Sequence, residues 1–299
     1  MEVLAPEEWR TRAASHAARV DRYLQPHLAR RKAGIPHPVH DFLFTYYAQR
    51  PAQLRRWHPG YGIALDDAAE HASLTGYGTT ARPASATTVM TAYVASQRPL
   101  VETLLRLLRA TAARTPNLGC FGMHEWAMVY RLPPEQVRHA AWPLRLGPAG
   151  TDQVVESHRI ACSHFDAYRF FTPAAEPLNA LRPRAQDRSD FEQPGCLHGN
   201  MDLYKHAFRL TPTISSDLVA DAFELAWDIR ILDMRAAPYD LSGITLDPTG
   251  EAWTPLRVET AEGKREYADL QRRFAERAAP IRQRLIAECE RLLAVATAR

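Results

Sequence analysis

The sequence predicts a mainly α fold, a multi-helix orthogonal or bundle-like domain with a minor β component. Apolar residues recur at helical spacing through long stretches near the N-terminus, in the middle and near the C-terminus. Proline and glycine cut those stretches into helix-length pieces. The motifs that announce parallel α/β folds are missing: no Gly-x-Gly-x-x-Gly, no Gly-x-x-x-x-Gly-Lys-Ser/Thr and no Gly-x-Ser-x-Gly. With 299 residues the chain can bury a sizeable core, and residues 1–299 read as a single large helical domain.

Taken in order, residues 6–33 predict a helix. Pro6, Glu7 and Glu8 suit its first turn, Trp9, Ala13, Val20, Leu24 and Leu28 give an apolar stripe, and Pro26 should distort or divide it. His40–Tyr47 reads as a short, deeply buried helix and Gln53–Trp57 as a further turn. Residues 66–86 read as a polar loop. Thr87 or Thr88 should cap a helix running to about Thr111, kinked or split into two pieces at Pro99. Further helical pieces are expected up to Arg131, over 133–141 and from Thr151 to Ser157, and the aromatics of Arg159–Phe171 favour a strand. Residues 172–195 carry four prolines and predict a long surface connection and a domain seam. Asn200–Leu210 and Ser215–Met234 read as helices, 236–256 as a Pro/Gly-rich loop, Val258 as part of a small strand, and Gly263–Ala298 as a long helix broken or bent at Pro280.

Composition narrows the setting. A net charge of +3 permits nucleic-acid contact without demanding it. Three lysines among 37 basic residues leave arginine as nearly all of the cationic side chains. That bias follows from a GC-rich genome or from recognition of phosphate by bidentate guanidinium groups. No apolar run nears the ~20 residues that span a bilayer. The N-terminus has no secretory apolar region, and four scattered cysteines are no disulfide framework, so a reducing cytoplasm is the expected setting.

The richest chemistry lies between Gly119 and His206. Three of the four cysteines fall there, each just upstream of a histidine: Cys120 and His124, Cys162 and His164, Cys196 and His198. Buried ionisable groups must be hydrogen-bonded or paired, so a core does not collect so many without cause. Three chemistries compete for this stretch. The first is recognition of an extruded nucleobase. Trp126, Tyr130, Tyr168 and Phe170 would offer stacking faces, Arg131 and Arg169 cations for phosphate, and Glu125, Asp166 or Asp202 the acid/base carboxylate. The second is a metal centre of iron or zinc with His124, Glu125, His164, His198, Asp202 and His206 as the ligand pool, of the di-iron helical type. The spacing is incomplete for it: there is no pair of Glu-x-x-His motifs, and His124-Glu125 lacks the second histidine of a zincin helix. The third is a non-catalytic nucleic-acid-binding protein whose polar interior only specifies the fold. Lys205 is a Schiff-base candidate beside His206, although a solvated helix face explains it better.

The segments HPVHDFLFTYYAQRPAQLRRWHPGYG, NLGCFGMHEWAMVYR, CSHFDAYRFFTP and GCLHGNMDLYKHAF resemble a family of actinobacterial proteins commonly named 3-methyladenine DNA glycosylase. The resemblance extends over nearly the whole chain. It implies hydrolysis of the N-glycosidic bond of an alkylated, cationic purine in DNA, without a cofactor, and cation–π stacking of the base on electron-rich rings. The Pro-Gly-x-Gly after Trp57 is similar to the hairpin of helix-hairpin-helix glycosylases, whose catalytic aspartate lies well beyond the hairpin. Here Asp66, Asp67 and Glu70 come at once and the next acid is Glu102, so no catalytic position carries over from that class. The expectation is therefore a DNA-repair N-glycosylase acting through Glu125 or Asp166.

Overall fold

The computed structural model describes residues 1–47, 49–80, 86–133 and 142–297. It is 57% helical and 7% strand, so the mainly α prediction holds. In chain order the elements are β1 (Glu2–Leu4), α1 (Pro6–Ala33), α2 (Phe42–Thr45), α3 (Pro51–Arg55), β2 (Ile63–Leu65), α4 (Ala69–Ala72), β3 (Tyr77–Thr79) and β4 (Thr87–Val89). They continue with α5 (Thr91–Ser96), α6 (Arg98–Ala112), α7 (Met123–Ala127), α8 (Gly147–Glu156), α9 (Phe165–Tyr168), α10 (Arg188–Phe191) and α11 (Leu197–Arg209). The last are α12 (Ser216–Ala236), β5 (Thr245–Leu246), β6 (Glu251–Ala252) and α13 (Ala261–Thr297).

The centre of the molecule is α12. The Ser215 hydroxyl caps it by accepting from the Asp217 amide at 3.1 Å. Its sequence is apolar on nearly every side, and Leu218, Phe223, Ala226, Trp227, Ile229 and Met234 are all buried. Such a helix needs partners all round, and α11, α13, α1 and α3 supply them. Ala220, Ala222 and Ala226 have no accessible surface and let the neighbouring helices approach closely. Against α12 lies α13, which also covers α6 and α11.

Both helices with an internal proline run on undivided, so neither Pro26 nor Pro280 breaks its helix. Pro280 is solvent-exposed, and Glu276, whose carbonyl loses its i+4 partner there, is exposed too. Water can satisfy that carbonyl, so the missing N–H costs little.

Strands account for the other departures. Thr87–Val89 does not begin a helix. It is an inner strand of a four-stranded sheet ordered β1-β2-β4-β3, paired antiparallel to both β2 and β3. The β-branched Thr-Thr-Val run suits that place, and the helix starts only at Thr91. The sheet takes part of the expected 66–86 loop as α4 and β3, and its β1 pairs parallel with β2. Strands of three residues are too short to show a period of two. Arg159–Phe171, expected as a strand, forms the single turn α9 and one isolated bridge from Ile160. Its aromatics serve packing, not pleating. Val258 joins no strand, and 236–256 holds the small hairpin β5–β6. The helix read over 133–141 lies almost wholly outside the described residues.

The segment 172–195 is pinned to the body of the molecule. It carries two 3-10 turns and α10, and its Gln193 is buried, its Oε1 accepting from the Asn117 and Gly195 amides at 2.8 and 2.7 Å.

Two histidines far from that segment are stored uncharged. Burial, the first cause for each, lowers His40 to about 2 and His58 to about 3. His40 stacks on Trp227 at 3.8 Å and accepts the Asp247 amide at 3.3 Å. His58 shares a 3.0 Å hydrogen bond with Tyr77. Each has a folded pKa below its unfolded value, so below about pH 6.5 the unfolded chain binds protons that the fold refuses. Each therefore removes up to about 1.4 kcal/mol of stability per pH unit below that point, and adds nothing above it. Urea unfolding between pH 7 and 4.5 should show this loss, with a shallower slope in His58→Asn than in the unaltered chain.

Candidate functional site

A cavity of about 510 Å³ opens between α2, α7, α9 and α12. Phe42, Tyr46, Trp142 and Phe170 form its aromatic walls, and His37, Asp41, Glu125, Asp166, His198 and Arg230 its polar ones. The rings come largely from one turn: Phe42 and Tyr46 are four residues apart on α2 and its C-cap and stack at 4.6 Å.

The floor is set by Arg230, which is 1% exposed on α12. Its Nη1 donates to Glu125 Oε1 at 3.2 Å and to Asp233 Oδ2 at 2.6 Å. Its guanidinium lies over the Phe42 ring at 4.0 Å. The short α7 brings Glu125 to it. Gly122, at φ 67°, opens that helix, and a Cβ there would come within 3.3 Å of the Ala236 methyl, so glycine allows α7 to sit directly on α12. The neighbouring His124 then reaches Asp233 Oδ1 through Nε2 at 3.0 Å. Burial alone would lower His124, but the Asp233 charge and hydrogen bond override it and raise the imidazole to about 10. His198, in the first turn of α11, meets the His124 ring edge-on at 4.3 Å. Burial and the adjacent His124 lower it to about 3, so it is a neutral imidazole.

A second charged group backs the α9 wall. Asp202 is 1% exposed; its Oδ1 accepts from the Tyr47 hydroxyl at 3.1 Å and its Oδ2 from Arg188 at 2.8 Å. His164 Nε2 lies 3.3 Å from it. Asp166 faces the cavity and accepts from Lys205 Nζ at 3.0 Å, with Arg188 at 3.6 Å. Burial raises the Asp166 carboxyl, but Lys205 and Arg188 outweigh it and hold it below the usual carboxylate range. Asp166 is therefore an ionised group on a cavity wall. Lys205 Nζ sits between Asp166 and Asp202, tied to both carboxylates, the arrangement of an ion-paired lysine.

The three Cys/His pairs, far apart in the chain, meet beneath this floor. Cys120, His124, Cys162, His164, Cys196 and His198 surround a small enclosed cavity of about 10 Å³. Burial pushes the Cys162 and Cys196 thiols well above their ordinary value, so they stand as thiols.

Of the residues singled out in the sequence, Glu125, Asp166, Phe170 and His198 come together in the large cavity. Others do not. Trp126 is fully buried, its indole N–H donating to the Ala236 carbonyl at 2.8 Å, so it packs the core and stacks on no ligand. Tyr130 and Arg131 turn away to Glu156, each at 2.8 Å. Tyr168 packs on Phe171. Asp202 is sealed behind the wall, and Arg169 lies over Phe170 in an adjoining, more open recess with Lys205. The six-residue ligand pool also divides. Glu125 is bound to Arg230, while His164, Asp202 and His206 belong to the α11 side. Among the described residues, one group places three metal-type ligand atoms within 4.8 Å of one another: His124, His198 and Asp233.

Sequence reasoning missed Arg230, Asp233, Phe42 and Tyr46. The signal for the first two was present: a charged pair at i, i+3 on the apolar side of α12, opposite its stripe of Asp217, Asp221, Glu224 and Asp228. No family model, curated protein or solved structure matches this chain. No described helix is long and apolar enough to cross a membrane.

Removing Arg230 would leave the Glu125 and Asp233 carboxylates buried beside one another without their shared cation. Arg230→Met should therefore cost about 3–5 kcal/mol, read as a lowered urea midpoint at pH 7.

Proposed function

We propose that this chain hydrolyses the N-glycosidic bond of an alkylated purine in DNA. The reading rests first on the cavity: aromatic walls of Phe42, Tyr46 and Phe170 with two carboxylates, Glu125 and Asp166, in one space of about 510 Å³. That volume is ordinary for a ligand pocket and ample for one flipped base. A base made cationic by alkylation is attracted to ring faces and to carboxylates, whereas a neutral base gains less from either. The resemblance of the four sequence segments to proteins named 3-methyladenine DNA glycosylase supports the same chemistry.

The roles follow from the surroundings. Asp166, kept ionised by Lys205 and Arg188, stabilises the oxocarbenium-like sugar as the C–N bond breaks and orients the attacking water. Glu125, held by Arg230, faces the base from the floor. Arg169, the more exposed cation of the adjoining recess, provides positive charge for a flanking phosphate.

Incubation with methylated duplex DNA should release free 3-methyladenine or 7-methylguanine. Asp166→Asn should slow single-turnover release by roughly 10²–10⁴-fold while retaining DNA binding, and Phe42→Ala should weaken capture of the base. An unaltered protein that releases no base from any alkylated substrate would sink the reading; if it also carries no metal, a non-catalytic nucleic-acid-binding protein is left in its place.

A further inference from the structure

We propose that His124, His198 and Asp233 bind a divalent first-row transition metal ion. Two imidazoles and one carboxylate, from α7, α11 and α12, are the donor set that such ions prefer, and they leave coordination positions open for water or a substrate oxygen. The inference stands apart from the glycosylase reading, which needs no metal.

Three observations carry it. The three ligand atoms already lie within 4.8 Å of one another, with His124 Nε2 and Asp233 Oδ1 at 3.0 Å; on binding, the ion takes the place of the proton between these two atoms, which is released to solvent. His198 is only 7% exposed, and its ring meets the His124 ring edge-on with centroids 4.3 Å apart. The ring borders both the large cavity and the small one below. Finally, the outer surroundings hold the carboxylate in place: Asp233 Oδ2 is occupied by Arg230 at 2.6 Å, which leaves Oδ1 for the ion. Support of this kind fixes the orientation of a ligating carboxylate. Because His198 faces the large cavity, the open positions of the ion would be presented to whatever enters it.

Titration of the chelator-treated, full-length protein with Co(II) tests this directly. The expected result is a visible ligand-field band that saturates at one equivalent, displaced by Zn(II). His198→Gln, with its fold checked by circular dichroism, should bind Co(II) at least about 10–100-fold more weakly. Asp233→Asn should weaken it likewise, and His206→Gln should leave it unchanged. No saturable band with Co(II) and no retained Zn(II) or Fe(II) would overturn the site, as would unaltered binding in a folded His198→Gln. Base release measured on the same samples separates the two ideas: metal binding without base release keeps this site and ends the glycosylase reading, and base release without metal binding does the reverse.

Discussion

One guanidinium organises the interior. Arg230 is buried on the central helix of the molecule, and its charge is tolerable there only because Glu125 and Asp233 contact it. The reverse is equally true, since two carboxylates at this depth need a cation. The trio therefore fixes where α7 sits on α12, and with α7 come His124 on one side and the cavity floor on the other. The aromatic ring of Phe42 closes the face of the same guanidinium, which ties the wall of the cavity to its base.

The cavity then divides two electrostatic systems. Beneath it, the His124 cation and the Asp233 anion face a neutral His198. Beside it, Arg188 and Lys205 gather Asp166, Asp202 and Glu192 around α11. Helix α11 serves both, with His198 in its first turn and Asp202 and Lys205 one and two turns later. A side chain at i and another at i+4 share a helix face, so one short helix can present an imidazole to the floor and a carboxylate to the wall. Ionised groups are thus kept within reach of an aromatic space without being placed in open water.

Much of the architecture was legible in the sequence, because long helices declare themselves by period and caps. Residues 6–33, 215–234 and 263–298 were read within a few residues of α1, α12 and α13. The sheet was not legible, since strands of three residues carry no measurable alternation and Thr87-Thr88 serves a strand as well as a helix start. At the site, the sequence pointed to the right segments but not to the right faces. Trp126 and Glu125 are adjacent, yet one faces the core and the other the cavity, and only the angle of a five-residue helix decides which. Asp233 and Arg230 lay outside the histidine-rich stretch that drew attention, and their partners are more than 100 residues away in the chain.

The last helix has a role that its distance from the cavity conceals. Gln271 on α13 donates to the Gly195 carbonyl at 2.6 Å, Arg282 donates to Asn200, and Tyr267 lines the small cavity beneath His198. These contacts hold the first turn of α11, and hence His198, in its aim. During synthesis that turn has emerged well before its braces exist. The nascent chain therefore carries an unfinished centre until the ribosome has released α13, and truncations that spare every lining residue would still arrive with the imidazole unaimed.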